Sequence, residues 1–392
     1  MTSEWNYSTI NDVCVLVTDG SHSSPKSVHD GEYMVSVKDF TDYGFDFSSC
    51  RMISHDDYEV LKRNGCVPQI DDILIGKDGV RFFEDIIIYR QREKPALLSS
   101  IAILRCDKSK ILPDFLYYAL RTPSFKQDVK DNYGSGSAIP RIILKDFKRM
   151  MVSYPSLEKQ RSIISVLTAI DSKIQANTEI NDNLEQQAAA LFSSLYERSN
   201  TEVRYTDLIQ ILGGGTPKTG ESIYWNGNIA FFTPKDVGVP YTLITEKTIT
   251  EEGLLHCNSR LYPVNTVFVT ARGTVGKVGM SGVPMAMNQS CYALVGKETH
   301  QLLVYFYTLK AVDRLKHKAS GAVFDAITTR DFESEQIMKL SDEDAKAFLC
   351  VAESMFQKIL NNSIENLRLS TLRDSLLPKL MSGELDVSAV QL

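Results

Sequence analysis

Two stretches of this sequence share one pattern. Residues 155–195 read PSLEKQRSIISVLTAIDSKIQANTEINDNLEQQAAALFSSL, and residues 340–380 read LSDEDAKAFLCVAESMFQKILNNSIENLRLSTLRDSLLPKL. They align from end to end without a gap. From residue 163, and again from residue 348, mostly apolar residues recur at alternating steps of four and three, which is the seam of a coiled coil. The sequence therefore predicts two long helices of one pattern.

Two asparagine layers interrupt both seams at matching places: Asn177, Asn181, Asn362 and Asn366. A buried asparagine lowers the stability of a coiled coil but fixes its register and partner. We therefore expect the helices to pair with each other in one alignment, antiparallel if a pseudo-two-fold axis relates the two repeats. Replacing Asn177 and Asn362 together by leucine should then raise thermal stability and loosen the alignment. The open alternative is two amphipathic helices that pack separately on their own domains.

The repeat extends beyond the helices. In the same alignment, Ser135-Gly136 recurs as Ser320-Gly321, and Asp146-Phe147 recurs as Asp331-Phe332. The two copies are 185 residues apart, and a repeat of this length suits a domain followed by a helix. We predict a first module at 1–157, a helical spacer at 158–197, a second module at 198–340 and a second helical spacer at 341–392. Each predicted helix of about 40 residues would be about 60 Å long, at roughly 1.5 Å per residue.

Both modules carry the same order of patterns. Each opens with a loop rich in Gly, Ser and Thr, continues with buried-strand runs such as 72–75 and 266–269, and adds an aromatic-rich helix. These patterns predict an α+β protein, in which two mixed α/β modules with twisted sheets are joined by the two long helices. Residues 41–70 and 240–262 share little beyond their length, so we expect these two surface segments to contact different ligands.

The net charge is −6, and the acidic excess lies in the predicted spacers, where 158–197 and 341–392 together carry 14 acidic and 8 basic residues. The two modules are neutral together, which permits a DNA-binding face without demanding one. Seven scattered cysteines without a Cys-x-x-Cys pair indicate free thiols in a reducing cytoplasm. The sequence contains no apolar run that predicts a membrane span, and its N-terminus lacks the pattern of a signal peptide.

No catalytic motif fits the sequence. Residues 273–278 resemble a phosphate loop, but Ala271 and Val278 stand where a Walker A motif needs Gly and then Ser or Thr. A nucleophile elbow, a methyltransferase motif and histidines at metal-binding spacing are also missing from the sequence. We therefore expect no catalysis and no metal site in this chain.

The remaining polar loops combine Gly, hydroxyl groups and single basic residues. Gly lets the backbone approach phosphate, Ser and Thr donate to phosphate oxygens, and Arg or Lys contacts phosphate or guanine. The candidate DNA-binding residues are Ser21, Lys26, Lys77, Arg81 and Arg141 in the first module, and Thr216, Lys218, Arg272 and Lys277 in the second. For each of them, a solvated surface side chain is the open alternative.

Together these features resemble the specificity subunit of type I restriction-modification systems, over nearly the whole chain. The resemblance rests on Gly215-Thr216-Pro217, on Ser-Gly and Asp-Phe ahead of each helix, on Leu157-x-x-Gln160-x-x-Ile163, on Ile170-Asp171-x-Lys173-Ile174 and on LRDSLLPKLMSGEL at 372–385. Each motif is moderately specific alone, and the set at a repeat offset is strong.

The resemblance implies two target-recognition domains, each of which reads one half of a split double-stranded DNA sequence. It implies that the two helices form an antiparallel coiled coil, which acts as a ruler and docks two methyltransferase subunits. Motor-nuclease subunits would bind through the methyltransferases. S-adenosylmethionine, ATP and Mg would belong only to those partner subunits, and this chain would hold no cofactor.

The second helix departs from the family pattern at its start. Residues 342–346, DEDAK, replace the Pro-x-x-x-Glu-Gln-type entry that is kept at 155–160, so the two docking surfaces need not behave alike. Two other functions stay open. One is the recognition subunit of a type II restriction-modification enzyme, and the other is a coiled-coil scaffold whose modules bind proteins.

Overall fold

The computed structural model describes residues 5–134, 140–238, 240–318 and 326–387. The chain divides into two compact units. Unit 1 comprises Met1–Ser172 with Ser370–Leu392, and unit 2 comprises Lys173–Leu369. The Ser-Gly pairs that the sequence places ahead of each helix lie outside the described residues.

Unit 1 contains short strands and helices that precede one long helix, α6. In chain order these elements are β1 (Asn6–Thr9), α1 (Ile10–Val13), β2 (Cys14–Asp19), β3 (Glu32–Val35), β4 (Phe40–Thr41), β5 (Gly44–Phe45), β6 (Arg51–Ile53), α2 (His55–Arg63), β7 (Ile73–Gly76), β8 (Ile86–Ile88), β9 (Ala96–Leu97), β10 (Ile101–Cys106), α3 (Pro113–Arg121), α4 (Pro123–Asn132), α5 (Leu144–Arg149), β11 (Met151–Tyr154) and α6 (Leu157–Glu197). Helix α6 contributes residues to both units.

The central sheet of unit 1 has the strand order β2-β10-β7-β8, with antiparallel neighbours throughout. Both of its faces are covered, so β7 is buried at all four positions. Ile73 and Ile75 face a core that includes Phe115 and Phe147, whereas Leu74 faces a second core around Phe45. Alternation of side chains along a strand thus explains why this sequence reads as a continuous apolar run.

Unit 2 repeats these elements with small changes, and its last helix continues past Leu369 with residues that belong to unit 1. In chain order they are β12 (Thr201–Arg204), α7 (Tyr205–Leu208), β13 (Ile209–Gly213), β14 (Trp225–Phe232), β15 (Tyr241–Thr242), β16 (Lys247–Ile249), α8 (Glu251–Leu255), β17 (Val267–Thr270), β18 (Val278–Ser281), β19 (Met285–Met287), β20 (Cys291–Gly296), α9 (Gln301–Lys318), α10 (Thr329–Ser334), β21 (Gln336–Lys339) and α11 (Asp342–Ser382).

Three sheets of unit 1 recur in unit 2 with the same strand order, whereas the β4-β5 pair belongs to unit 1 alone among the described residues. The order β13-β20-β17-β18 repeats β2-β10-β7-β8, with β15 added at one edge, and β16-β14-β19 repeats β6-β3-β9. Strands β1 and β11 form a pair in unit 1, as β12 and β21 do in unit 2. The prediction of an α+β protein built from two mixed α/β modules and two long helices is confirmed.

The segments 41–70 and 240–262, which share little sequence, share part of their framework. Each contains a short strand followed by a helix, β6 with α2 and β16 with α8. Both helices begin after a capping hydroxyl, since Ser54 and Thr250 accept hydrogen bonds from backbone amides in the first turn. The two segments therefore differ in side chains and in helix length but share this strand and helix.

The two long helices are both 41 residues long. Each begins after a serine N-cap: Ser156 Oγ accepts from Lys159 N at 3.4 Å, and Ser341 Oγ accepts from Asp344 N at 3.1 Å. Among the described residues, no helix is both long enough and apolar enough to cross a membrane.

Within unit 2, the two helices pair antiparallel through the asparagine layers. Asn177 Nδ2 donates to Asn366 Oδ1 at 2.9 Å, and Asn362 Nδ2 donates to Asn181 Oδ1 at 2.8 Å. As residue numbers rise along α6, those of the partner fall along α11, and buried apolar positions follow on both helices. The alternative of two helices that pack separately on their own domains is therefore wrong.

Within unit 1, the same helices meet around an ion pair. Arg373 Nη1 lies 2.9 Å from Asp171 Oδ1, and the hydroxyl of Tyr118 donates to Asp171 Oδ2 at 2.7 Å. The equivalent positions in unit 2 are apolar, because Phe356 takes the place of Asp171 and its ring centroid lies 5.6 Å from that of Phe306. Each unit thus joins its module to the helix pair with different chemistry.

Candidate nucleic-acid interface

Each central sheet feeds a glycine loop that passes close to a neighbouring turn. A Cβ on Gly20 would lie 2.3 Å from Leu97 O, and a Cβ on Gly214 would lie 2.3 Å from Asn288 O. Only glycine fits at such distances. The loops after β2 and β13 are therefore held at equivalent places in the two repeats.

Two of the predicted residues in unit 1 are engaged inside the protein. Ser21 is buried, and its hydroxyl donates to Ser23 O at 2.8 Å. The Lys77 side chain is 8% exposed, and its Nζ lies 3.4 Å from Asp19 Oδ2. Lys77 also meets the turn that precedes β10, because its backbone N donates to the carbonyl of Ser100 at 2.9 Å. In this arrangement Ser21 and Lys77 hold the loop together.

The other three predicted residues of unit 1 are exposed. Arg81 has a side chain that is 76% exposed and lies 2.7 Å from Asp85 Oδ1. Arg141 forms a β-bridge with Asp78, so the structure places it beside the loop that carries Arg81. Lys26 lies on a separate loop, that after β2. Three cations of unit 1 are thus available to a ligand in solution.

In unit 2, two predicted residues come together at the turn before β20. Thr216 Oγ1 donates to Gln289, and Arg272 N donates to the carbonyl of Ser290 at 3.2 Å. The Arg272 side chain is exposed. Lys277 is exposed at the far end of the same loop, where its backbone N donates to Thr270 Oγ1 at 2.9 Å.

Lys218 lies apart from this cluster, next to an aromatic surface. Its carbonyl accepts a hydrogen bond from Trp225 Nε1 at 3.2 Å, and its side chain is exposed. The ammonium of Lys247 lies 5.7 Å from the centre of the same indole ring. A cation over an aromatic face next to a second lysine is a surface that suits a nucleic acid backbone or base.

Equivalent backbone positions carry different charges in the two units. The bridge between Asp78 and Arg141 in unit 1 corresponds to the bridge between Arg272 and Ala326 in unit 2. One framework therefore presents an acid and a base in one repeat and a single arginine in the other. The two surfaces therefore offer different patterns of hydrogen-bond donors and acceptors, the kind of feature by which base edges are distinguished.

Two polar groups that the sequence did not single out lie at these loops. Arg51 donates to Ser24 Oγ at 3.0 Å and to Pro25 O at 2.7 Å, and so holds the loop that carries Lys26. Its buried Nε and the buried Oδ1 of Asp78 lack hydrogen-bond partners in the described part of the chain. Nothing in the local sequence marks Arg51, because its partners Met34, Pro25 and Ser24 lie 17, 26 and 27 residues away.

The chain matches one protein family over most of its length. A family model described as the type I restriction modification DNA specificity domain matches residues 2–186 and 198–340. The HindI specificity subunit of Haemophilus influenzae is 25% identical over 361 residues, which cover 70% of this chain and 78% of that protein. The MjaIX specificity subunit of Methanocaldococcus jannaschii is 23% identical over 307 residues, which cover 71% of each chain.

A solved structure shares the fold. The crystal structure of a type I restriction-modification system S subunit from M. genitalium matches with a TM-score of 0.60 at 16% identity, covering 97% of this chain and 96% of that one. The family model covers both modules and part of the first long helix, at the two places where the structure repeats. The chain therefore belongs to the family of type I restriction-modification DNA specificity proteins.

Proposed function

We propose that this chain is the DNA-specificity subunit of a type I restriction-modification complex. Each module reads one half of a split target in double-stranded DNA, and the chain supplies no catalysis of its own. Two methyltransferase subunits dock on it, and motor-nuclease subunits join through them. S-adenosylmethionine, ATP and Mg are bound by those partner subunits.

The duplication is the observation that supports this function most directly. The two modules share strand order and loop placement but differ in charge at equivalent positions, as at Asp78 and Arg272. A duplicated framework with different surfaces fits a protein that reads two different sequences. Two identical half-sites would instead favour equal side chains at these places.

The exposed cations of the loops account for binding to DNA. Contacts to phosphates release counterions, so affinity falls steeply as salt rises. Arg81, Arg141 and Arg272 are exposed and carry planar guanidinium groups that can also contact guanine through two donors. Lys26, Lys218 and Lys277 suit phosphate contacts that position the protein without reading sequence.

The helix pair accounts for a fixed gap between the half-sites. Its four asparagines bond across the interface in one register, and a shift by one turn would break these bonds. Since apolar layers alone tolerate slippage, polar layers are the usual means of fixing alignment. A helix pair that sets the distance between two half-sites needs such a fixed alignment of its two helices.

The experiment that tests this function is a binding titration with the full-length chain. The chain, reconstituted with the methyltransferase subunit of the same system, should bind duplex DNA with an affinity that falls with salt. Arg141→Ala should weaken recognition of one half-site, and Arg272→Ala that of the other. The matched control is Lys358→Ala, an exposed cation on α11, which should change neither. Salt-independent binding, or binding to protein partners alone, would refute the proposal and favour the scaffold.

A further inference from the structure

A buried glutamine locks the start of the long helix to its module in unit 1. Gln160 is 0% exposed, and its Oε1 accepts from Leu112 N at 2.8 Å. Its Nε2 donates to Lys110 O at 2.9 Å and to Pro155 O at 3.0 Å. One amide side chain therefore satisfies a backbone N–H at the start of α3 and two carbonyl groups.

Unit 2 has the same framework without that side chain. The residue that aligns with Gln160 in the repeat is Ala345, whose methyl group makes no hydrogen bond. The counterparts of the three backbone partners are His300, directly before α9, Glu298, two residues earlier, and Leu340, before α11. All four of these residues line one open groove of about 950 Å³.

The groove is wider than one side chain, and its walls are mixed. Leu303, Tyr307 and Leu349 provide an apolar floor. Charges of both signs surround it, from Lys297, Lys346, Glu298 and Asp342. A nucleic acid would need an excess of positive charge, which this groove lacks. A mixed polar and apolar lining suits a folded polypeptide surface.

Polar side chains at the groove are already engaged within the chain: the Tyr307 hydroxyl accepts from Leu340 N at 2.9 Å and so joins α9 to the segment before α11. His300 Nδ1 accepts from Leu302 N at 3.3 Å, and its Nε2 lies 3.1 Å from Glu353 Oε1. The histidine thus caps α9 and reaches the flank of α11. It does not replace the amide that bridges the two elements in unit 1.

We propose that this groove is a docking site for the methyltransferase subunit, which inserts a glutamine or asparagine side chain where Gln160 lies in the other repeat. This inference rests on the proposed function and adds a consequence to it. Unit 1 fills the equivalent space itself, whereas unit 2 offers it to the partner. The two methyltransferase subunits therefore bind at unequal sites and in two distinguishable steps.

The first experiment fills the groove with the chain's own amide. Ala345→Gln restores the pattern of unit 1 in unit 2 and should leave the melting temperature equal or higher. Titration of the full-length variant with the methyltransferase subunit of the same system should show one binding step weakened at least tenfold and the other unchanged. A variant with both steps as in the unaltered chain would overturn the inference.

A cross-linking experiment locates the partner directly. Cys350 is exposed and lines the groove, whereas the other described cysteines are buried or half-buried. A photoreactive maleimide on Cys350, in a Cys50→Ser and Cys257→Ser background, should cross-link to the methyltransferase subunit. Ala345→Gln should abolish that product.

The matched control is Ser165, the residue of unit 1 that aligns with Cys350 in the repeat. Ser165→Cys, labelled in a Cys350→Ser background, reports on the equivalent surface of unit 1 and should not respond to Ala345→Gln. Cross-linking of Cys350 to a second copy of this chain would contradict the inference. If no methyltransferase binds the unaltered chain at all, the proposed function fails; if two bind and Ala345→Gln alters neither step, only this inference fails.

Discussion

The four asparagines of the helix pair do not play equal roles. Asn177 and Asn362 are buried, at 0% and 1% exposure, whereas their partners Asn366 and Asn181 are only half-buried. Asn177 also donates to Glu365 Oε2 at 2.8 Å, and this hydrogen bond lowers the pKa of Glu365. Each layer is thus a pair of a buried and a half-buried amide.

This pairing changes the expected effect of leucine at the two buried positions. Burial of each leucine stabilises by about 1.5–3 kcal/mol, and each amide oxygen left without its donor costs about 1–3 kcal/mol. We therefore expect Asn177→Leu with Asn362→Leu to change the free energy of unfolding by less than about 1 kcal/mol, not to raise it. Urea denaturation measures this.

Replacement of all four asparagines by leucine should act differently. With no orphaned amide left, stability should rise by about 1–4 kcal/mol, as for other buried polar networks that are exchanged completely. The gap preferred between the half-sites should become less strict, because the register determinants are gone. A quadruple variant that is less stable, or that keeps a strict gap, would count against the assignment of these residues.

The ion pair of unit 1 allows a second test at single positions. Asp171 and Arg373 are 17% and 18% exposed, so Asp171→Asn leaves a largely buried guanidinium with a weaker partner. We expect a loss of about 1–3 kcal/mol in the free energy of unfolding, which is less than for a fully buried pair. Chemical denaturation at neutral pH measures it.

Unit 2 supplies the control for this change. The triple variant Tyr118→Phe, Asp171→Phe and Arg373→Ala copies the apolar junction of Phe306, Phe356 and Ala188. It should recover most of the lost stability, because it removes the three largely buried polar groups and leaves only Asp374, whose side chain is 64% exposed and stays solvated. A triple variant as unstable as Asp171→Asn would show that the two junctions are not interchangeable.

At the scale of elements, helix α4 is attached to the loop after β7 by one acid. Lys126 and Lys130 both lie 2.8 Å from carboxylate oxygens of Glu84, and these hydrogen bonds lower its pKa to about 2 from an ordinary value of 4.5. A lowered pKa in the folded state stabilises the protein fully above the ordinary pKa. That stabilisation is lost as the pH falls through about 2.

Glu84→Gln should therefore lower the melting temperature at pH 6 by a small amount, since the pair is partly exposed. The difference between the two proteins should shrink between about pH 4.5 and pH 2. Thermal melts across this range measure it. A difference that grows as the pH falls would contradict the role given to Glu84.

The sequence predicted the elements better than the loops, for a physical reason. Periodicity reports on faces that are buried along a helix or a strand, so the long helices and the strands β7 and β17 could be read directly. Ser21 and Lys77 were chosen for their chemistry, but their engagement with Ser23 and Asp19 depends on tertiary contacts. Local composition does not reveal such contacts, because Lys77 follows β7 whereas its carboxylate partner Asp19 ends a different strand, β2.

The Gln160 position shows what an internal repeat adds. Gln160 belongs to a motif visible in the sequence, and its replacement by Ala345 is visible as well. The sequence does not show the hydrogen bonds of Gln160 to the backbone of Lys110 and Leu112 in unit 1. It also does not show the groove beside Ala345 in unit 2. The sequence shows where the two repeats differ, and the structure shows which hydrogen bonds and which groove result from that difference.

At the scale of the whole molecule, two modules of one framework predict separable recognition. Exchange of residues 1–157 for the corresponding module of a relative should change one half of the target and leave the other half and the gap unchanged. Methylation patterns of cells that carry the exchanged chain measure this. A change in both halves would mean that the modules do not read independently.

The most direct test of the central claim is a map of methylated bases in DNA from cells that carry the complete system. Two modules with different charges at equivalent loops predict a target of two different short sequences, separated by a constant number of unread bases. One continuous sequence, or two identical half-sites arranged as a palindrome, would contradict the conclusion that one chain reads DNA with two different modules.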